Sequence, residues 1–212
     1  NLTTVVLHAN DSGTAAQEGD QLVYGSNVAD TIFKVSGDTY KLDASGYLAV
    51  KNPKVELRQN VSTRQYATIE KALSEAESGA EIALIDNFTL DGKVTIDKSV
   101  TITTDGVADR IIYCGAGAAL DNVFEIVGTD IEVTFKGSKD SKLVFDGTDV
   151  TLSKAFISAA SGTAKKVTMQ YVTMQNITSD VAKNHGPAVC SYVPLEIKNC
   201  EFTACKSSGS ET

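Results

Sequence analysis

The stretch "SGAEIALIDNFTLDGKVTIDKSVTITTDG", residues 78–106, contains apolar pairs that recur every six residues. The pairs are Ile82/Leu84, Phe88/Leu90, Val94/Ile96 and Val100/Ile102. A single polar or small residue separates the two members of each pair, which is typical of a short strand with one buried face. Asp91-Gly and Asp105-Gly are turn signals between and after these strands. The stretch therefore predicts several short strands joined by tight turns.

A short amphipathic helix is predicted just before this stretch, over residues 68–79 with the sequence TIEKALSEAESG. Its apolar face is formed by Ile69, Ala72, Leu73 and Ala76, at helical spacing. Thr68 suits the N-cap, and Gly79 suits a left-handed C-terminal stop. A helix of about three turns is unstable alone, so it must pack on neighbouring structure.

The rest of the chain reads as short strands, which fits either a two-sheet sandwich or a solenoid. An internal repeat favours the solenoid, because "VTMQNI" at 172–177 aligns with "LEIKNC" at 195–200. The repeat predicts coils of about 23 residues in a right-handed parallel β-helix, with Asn176 and Asn199 stacked. A left-handed hexapeptide helix stays open as an alternative, although the six-residue spacing ends after residue 104.

Two regions are expected along the chain. Residues 1–66 form a β-rich N-terminal region, which is either a small domain or a cap. Residues 67–212 contain the helix, which covers the open apolar end of the solenoid, and then the coils. The chain closes on the polar "CKSSGSET" with no evident C-terminal cap, so further coils are expected to follow.

The entry segment 67–106, with its "TIEKALSEA" helix and its "VTIDKSVTI" strands, resembles the pectin-lyase-like β-helix superfamily. "GPAVCSYVPLEIKNCEFTAC" at 186–205 weakly resembles the repeats of polymorphic outer-membrane-type surface proteins, with Pro187 and Cys205 departing from that pattern. The resemblance implies an all-β, right-handed parallel β-helix of the bacterial cell-surface or adhesin type. Members of the superfamily include adhesins, polysaccharide lyases and hydrolases, so fold alone does not choose among them.

Charge and composition narrow the range of partners and locations. The net charge of −8 provides no basic patch, so we expect no nucleic-acid partner. No apolar run approaches the length of a transmembrane helix. Sequons are present at Asn60, Asn87 and Asn176, and also at Asn1 and Asn10, which fits an extracellular, cell-surface or secreted protein.

Candidate site residues are few. Tyr171 and Tyr192 are about one coil apart and are expected to stack on adjacent coils as a glycan platform, with His185 as a weaker ligand contact. Cys190, Cys200 and Cys205 are candidates for a disulfide, and burial in the core is the competing interpretation. Asp140, Asp146 and Asp149 match no lyase or hydrolase constellation, and Arg110 reads as a turn residue. We expect no cofactor, with Ca²⁺ left open.

The sequence favours a non-catalytic extracellular β-helix that serves in adhesion or as a structural stalk, with a host-cell or polysaccharide ligand. A polysaccharide-active enzyme and a glycan-binding module are the alternatives. The ligand and the oligomeric state stay open.

Overall fold

A computed structural model shows an all-β chain whose main body is a β-solenoid of about four turns. It describes residues 52–115, 121–148, 150–162, 164–180 and 186–208, together with the backbone of three earlier strands. Those strands, β1 (Ile32–Val35), β2 (Asp38–Leu42) and β3 (Leu48–Val50), form an antiparallel sheet. Residues 1–31 of the predicted β-rich N-terminal region lie outside the described residues.

A hairpin and the helix α1 (Ile69–Glu75) precede the coils. The hairpin strands are β4 (Val55–Gln59) and β5 (Ser62–Tyr66). The Thr68 hydroxyl accepts the backbone N–H of Lys71 at 3.2 Å, which confirms the predicted N-cap. The helix packs against the hairpin and the first coil through Ile69, Ala72 and Leu73, which are buried.

The helix ends earlier than the sequence predicts. Residue 76 is already extended, and its N–H reaches back only to the Leu73 carbonyl. The Lys98 ammonium then donates to the Leu73 and Ala76 carbonyls, both at 3.1 Å, and replaces the missing helical partners. Gly79 has a positive φ of 91°, but it lies in the turn before the next strand and is not the helix stop.

Successive coils are built from short strands that return to the same sheets. The coil strands are β6 (Ala80–Leu84), β7 (Phe88–Leu90), β8 (Val94–Ile96), β9 (Val100–Thr104), β10 (Arg110–Cys114), β11 (Phe124–Ile126), β12 (Glu132–Lys136), β13 (Leu143–Asp146), β14 (Thr151–Leu152), β15 (Ile157–Ala159), β16 (Lys166–Gln170), β17 (Val172–Gln175), β18 (Thr178–Ser179), β19 (Val189–Ser191), β20 (Leu195–Lys198), β21 (Glu201–Thr203) and β22 (Lys206–Ser207).

All pairings between coils are parallel, and they produce four stacked sheets. The sheets run in the orders β20-β16-β12-β9-β6-β4-β5, β21-β17-β13-β10-β7, β19-β15-β11-β8 and β14-β18-β22. Within the described strands of these sheets, the antiparallel pairings are those of β4 with β5 and of β4 with the outer edge of β6. The apolar pairs of residues 82–102 occupy β6 to β9, and Ile82 pairs with Ile102. The stretch with the six-residue rhythm is therefore one full coil and the start of the next.

The solenoid core consists of columns of like side chains. One column contains Ala80, Val100, Val133, Val167 and Leu195, so the coils contain 20, 33, 34 and 28 residues. The parallel columns are Ile82, Ile102, Phe135, Met169 and Ile197 in one case, and Phe88, Ile112, Phe145, Met174 and Phe202 in another. Four phenylalanines fill the middle coils, with Phe124 edge-on to Phe135 and Phe145 at 5.4 and 5.5 Å.

The predicted register of the internal repeat is wrong. Leu195 lies over Val167, and the strand that contains Val172 pairs instead with β21. Asn176 and Asn199 therefore do not stack. Both have positive φ, at 55° and 52°, because each turns the chain at a corner after a short strand. The internal repeat aligned Asn176 with Asn199 because both corners need a residue that tolerates a left-handed conformation, although they are different corners of the coil.

Replacement of Ile69 by Ala should destabilise the fold, since this side chain is fully buried under the helix. We expect a loss of about 2–5 kcal/mol in the free energy of unfolding, measured by urea denaturation. The control is Glu70→Ala, on the exposed side of the same turn, for which a change within about 0.5 kcal/mol is expected. Equal losses in the two variants would contradict the packing of α1 on the first coil.

Candidate functional site

The outer surface of the longest sheet carries two straight columns of polar side chains, here called the polar face. One column contains Thr101, Thr134, Thr168 and Glu196, and the other contains Lys136, Gln170 and Lys198. These residues alternate with the buried columns of β9, β12, β16 and β20, so the pleat directs them outward. Because parallel strands lie about 4.8 Å apart, the columns repeat a polar group at that spacing along the solenoid.

The C-terminal end of the polar face is a small charged network. The carboxylate of Glu196 pairs with the ammonium groups of both Lys166 and Lys198. These two lysines lower the pKa of Glu196 to about 2, with the hydrogen bond from Lys166 as the largest cause. Glu132 and Lys165 form a further pair at 2.7 Å lower on the same sheet. Both signs of charge thus lie on this face, and Glu196 stays ionised at physiological pH.

Tyr171 and Tyr192 flank the polar face at opposite edges. Tyr171 forms the corner after β16 with a φ of 50°, and its N–H donates to the Lys198 carbonyl in the next coil. Tyr192 lies between β19 and β20, is 62% exposed, and its N–H donates to the Ala159 carbonyl. The expected stacking of the two rings on adjacent coils is therefore wrong, because the true coil is longer than their spacing. His185 lies outside the described residues.

Asp146 lies at a corner of the solenoid and is largely buried. The backbone N–H and hydroxyl of Thr148 donate to its carboxylate, and so do the side-chain amides of Gln175 and Asn176 from the next coil. Burial alone would raise the pKa of Asp146, but these hydrogen bonds outweigh it and lower the pKa below its usual value. The carboxylate therefore links two coils as an anion.

The other acidic and basic candidates are dispersed. Asp140 is exposed, and Lys142 pairs with Glu201 at 3.3 Å. Arg110 opens strand β10 rather than a turn, and its guanidinium makes a two-bond contact with the Asp105 carboxylate. Asp149 lies outside the described residues. The described part of the chain contains no group of three or more His, Cys, Asp or Glu residues able to hold a metal ion.

All four cysteines are free thiols in the structure. Cys114 is buried in the core, where burial, followed by the charge of Asp91, raises its pKa to about 11. Cys200 and Cys205 pack partly against the core, and Lys206, just after Cys205, donates its N–H to the Ile177 carbonyl. Cys190 pairs in register with Ser158, in the outward column of its sheet. A disulfide among Cys190, Cys200 and Cys205 stays a prediction.

The three described sequons lie on exposed asparagines. The Asn60 amide donates to Glu77, and the Asn176 amide donates to Asp146. The Asn87 carbonyl oxygen instead accepts the backbone N–H of Ile111 at 2.9 Å. Glycosylation of these residues stays a prediction.

A polar cleft of about 570 Å³ lies beside α1 at the first coil. It is lined by Lys54, Glu70, Asn87 and Asp91, among others. The Lys54 ammonium and the Asp86 carboxylate form an ion pair at its edge, and this pairing lowers the pKa of Asp86.

The sequence did not predict this cleft, and it did not predict the column of Thr101, Thr134 and Thr168. The recurring Val-Thr-apolar triplets at 100, 133 and 167 are the signal for that column.

Comparison of the chain with family models, curated proteins and solved structures finds no match. The class of protein is defined by the fold alone, which is a β-solenoid. Of the residues that the structure describes, no helix has the length and apolar character needed to cross a lipid bilayer.

Replacement of Asp146 by Asn should lower stability by about 1–3 kcal/mol at pH 7, because it weakens four hydrogen bonds at a buried corner. The folded-state pKa lies below the unfolded value, so this stabilisation is complete above about pH 4 and is lost as the pH falls through the folded pKa. Urea denaturation of both proteins between pH 7 and pH 2 measures the difference.

The control for this prediction is Asp140→Asn, at an exposed turn residue, which should change stability by less than about 0.5 kcal/mol. A gap between wild type and Asp146→Asn that persists unchanged at pH 2 would show that the ionised carboxylate is not the stabilising species.

Proposed function

We propose that this chain belongs to an extracellular, non-catalytic bacterial surface protein, in which the solenoid is a rigid support that presents an adhesive face. The observation that carries the proposal is the polar face, whose two columns run straight over successive coils. A support of this kind keeps a constant core while its outward residues are free to meet a partner.

Rigidity is supported by contacts that join one coil to another. Lys93 pairs with Glu125 at 2.5 Å, and Lys154 pairs with Asp121 at 3.0 Å, in each case between neighbouring coils. Exposed pairs of this kind contribute little individually. The buried hydroxyl of Ser141 also donates to Thr104 at 2.7 Å, and Asp146 joins the following coil. Together with the stacked sheets, these contacts oppose bending between coils.

An extended polysaccharide fits the polar face by chemistry. Thr134, Thr168 and Gln170 supply hydroxyl and amide groups at a regular spacing, and Lys136 supplies a cation. Tyr171 and Tyr192 place aromatic rings at the two edges of this surface, where a sugar ring can stack. A ligand that lies along or across the columns would meet both kinds of group.

Three finer features belong to the same proposal. The coils wind in a right-handed sense, as the resemblance of residues 67–106 to pectin-lyase-like proteins implies. Helix α1 and the β4–β5 hairpin act as the cap of the first coil, and Ile69 and Leu73 supply its apolar contact. The competing function is polysaccharide cleavage, with or without Ca²⁺, for which the polar cleft beside α1 offers a pocket.

The purified chain should bind an extended polysaccharide on a glycan array and release no unsaturated or reducing products, with or without Ca²⁺. Replacement of Tyr171 by Asn should weaken binding by roughly fivefold to tenfold, since one aromatic contact contributes about 1 kcal/mol. Asn is chosen because Asn199 holds the same left-handed corner in the next coil. Tyr192→Ala is expected to have a similar effect.

The control is Tyr113→Ala, because Tyr113 is 37% exposed on a different sheet. Binding that falls equally in all three variants would exclude the polar face as the ligand site. Product release would overturn the non-catalytic proposal and direct attention to the cleft beside α1. Absence of binding to every glycan would remove the adhesive role and leave the structural one.

A further inference from the structure

One strand of the first coil has an edge with no strand beside it. The first coil consists of β6, β7 and β8, and β9 begins the second. The outer edge of β6 is paired with β4, and α1 packs against β8. Strand β7 is the last strand of its sheet, and β10 is its one partner among the described strands. The outer edge of β7 is therefore open.

The backbone groups of Thr89 point out from this open edge. The Gly115 N–H donates to the Leu90 carbonyl at 2.8 Å, so the backbone groups of Leu90 face β10. Because the backbone groups of successive residues point to opposite edges of a strand, the N–H and C=O of Thr89 face away from β10. Within the described part of the chain, neither group has a hydrogen-bond partner. Such an edge can pair with a strand of another molecule.

The polar cleft beside α1 provides room for such a strand. Its volume of about 570 Å³ lies within the range of roughly 300–1,000 Å³ that is usual for ligand sites. Its lining includes the whole of β7, residues 88–90, and also Thr68 and Glu70 at the start of α1. Because paired strands lie about 4.8 Å apart, a strand added to the outer edge of β7 would occupy this cleft.

The charges that line the cleft favour a basic occupant. The carboxylates of Glu70 and Asp91 have no hydrogen-bond or ion-pair partner among the described residues. The Lys54 ammonium is already paired with the Asp86 carboxylate. A peptide with lysine or arginine side chains would supply the missing cations, whereas an acidic peptide would be repelled. The net charge of −8 on the chain adds attraction for a basic peptide at longer range.

We infer that this cleft binds an extended basic peptide, which adds a strand to the outer edge of β7. The N–H and C=O of Thr89 bond to the peptide backbone, and these bonds give affinity without fixing the peptide sequence. Lysine or arginine side chains of the peptide contact Glu70 and Asp91, and these contacts give the preference for a basic segment. The site is separate from the polar face and does not depend on the role proposed for that face.

The test is a calorimetric titration of the 212-residue chain with a synthetic peptide of about eight alternating lysines and valines, with blocked ends, up to about 1 mM. The expected result is saturable binding. The same peptide with every backbone nitrogen methylated keeps its charges but has no N–H donors, so it should bind at least roughly tenfold more weakly. A peptide with glutamate in place of lysine should not bind, because it would face the carboxylates of Glu70 and Asp91.

Two substitutions of one exposed residue make the test specific to β7. Thr89→Pro removes the outward N–H at an edge position, where sheets tolerate proline, and should raise the dissociation constant roughly tenfold. Thr89→Val keeps the N–H and the side-chain shape, so it is the matched control and should leave the constant unchanged. Glu70→Gln and Asp91→Asn should each weaken binding by roughly twofold to fivefold. Circular dichroism checks that each variant is folded.

Three results would overturn the inference. The first is the absence of saturable binding of the lysine peptide to the wild type. The second is equal binding of that peptide to the wild type and to Thr89→Pro, and the third is equal binding of the plain and methylated peptides. Either kind of equality would show only a general attraction of a basic peptide to an acidic protein. If Thr89→Pro does not fold, the two peptides compared on the wild type decide the question.

Discussion

The structure depends on the parallel, in-register hydrogen bonding of each coil to the next. Because side chains alternate across a strand, a register slip of one residue would turn every buried residue of that strand outward. The register Ile82, Ile102, Phe135, Met169 and Ile197 keeps five strands in phase although the coils differ in length. Length variation is therefore confined to the corners and loops, such as residues 105–109 and 137–142.

The corners between strands also restrict the sequence, because the chain must turn there without losing its hydrogen bonds to the neighbouring coils. Tyr171, Asn176, Asn199 and Ala204 all adopt positive φ values between 50° and 55° at such corners. Close backbone stacking adds a restriction at Gly137, where a Cβ atom would approach the Tyr171 carbonyl oxygen to 2.5 Å. Asp146 meets the same need through its side chain, by satisfying polar groups of two coils. Asn176, Asn199 and Asp146 are thus polar residues whose role is to form the corners of the solenoid.

The first coil could be predicted from sequence because its apolar pairs follow one another every six residues, from β6 to β9. The six-residue rhythm of residues 82–102 corresponds to four strands, with Ile82 under Ile102. The N-cap at Thr68 was equally local, since its hydroxyl and its N–H partner are three residues apart. The early end of α1 was not predictable, because the Lys98 ammonium that holds its last carbonyls comes from a distant corner.

The strand registers of the later coils could not be predicted from sequence similarity, because different sides of one coil are built from similar short sequences. "VTMQ" occurs at 167–170 and again at 172–175, yet the first copy pairs with β20 and the second with β21. Tyr171 ends the first strand by adopting a left-handed conformation, which its residue type does not announce. The expected stacking of Tyr171 and Tyr192 was wrong for the same reason: the coil here is longer than their spacing, so the two residues lie at opposite edges of the sheet.

The two edges of β6 show that a strand of the longest sheet can pair with either a parallel or an antiparallel neighbour. On one edge β6 accepts the parallel strand β9, and on the other it accepts the antiparallel strand β4. The chain runs from β4 through the β4–β5 hairpin and α1 into β6, so the antiparallel strand lies on the edge of the first coil and is not itself part of a coil. Continuation thus depends on which strand direction is supplied rather than on the apolar columns, which look alike in both cases.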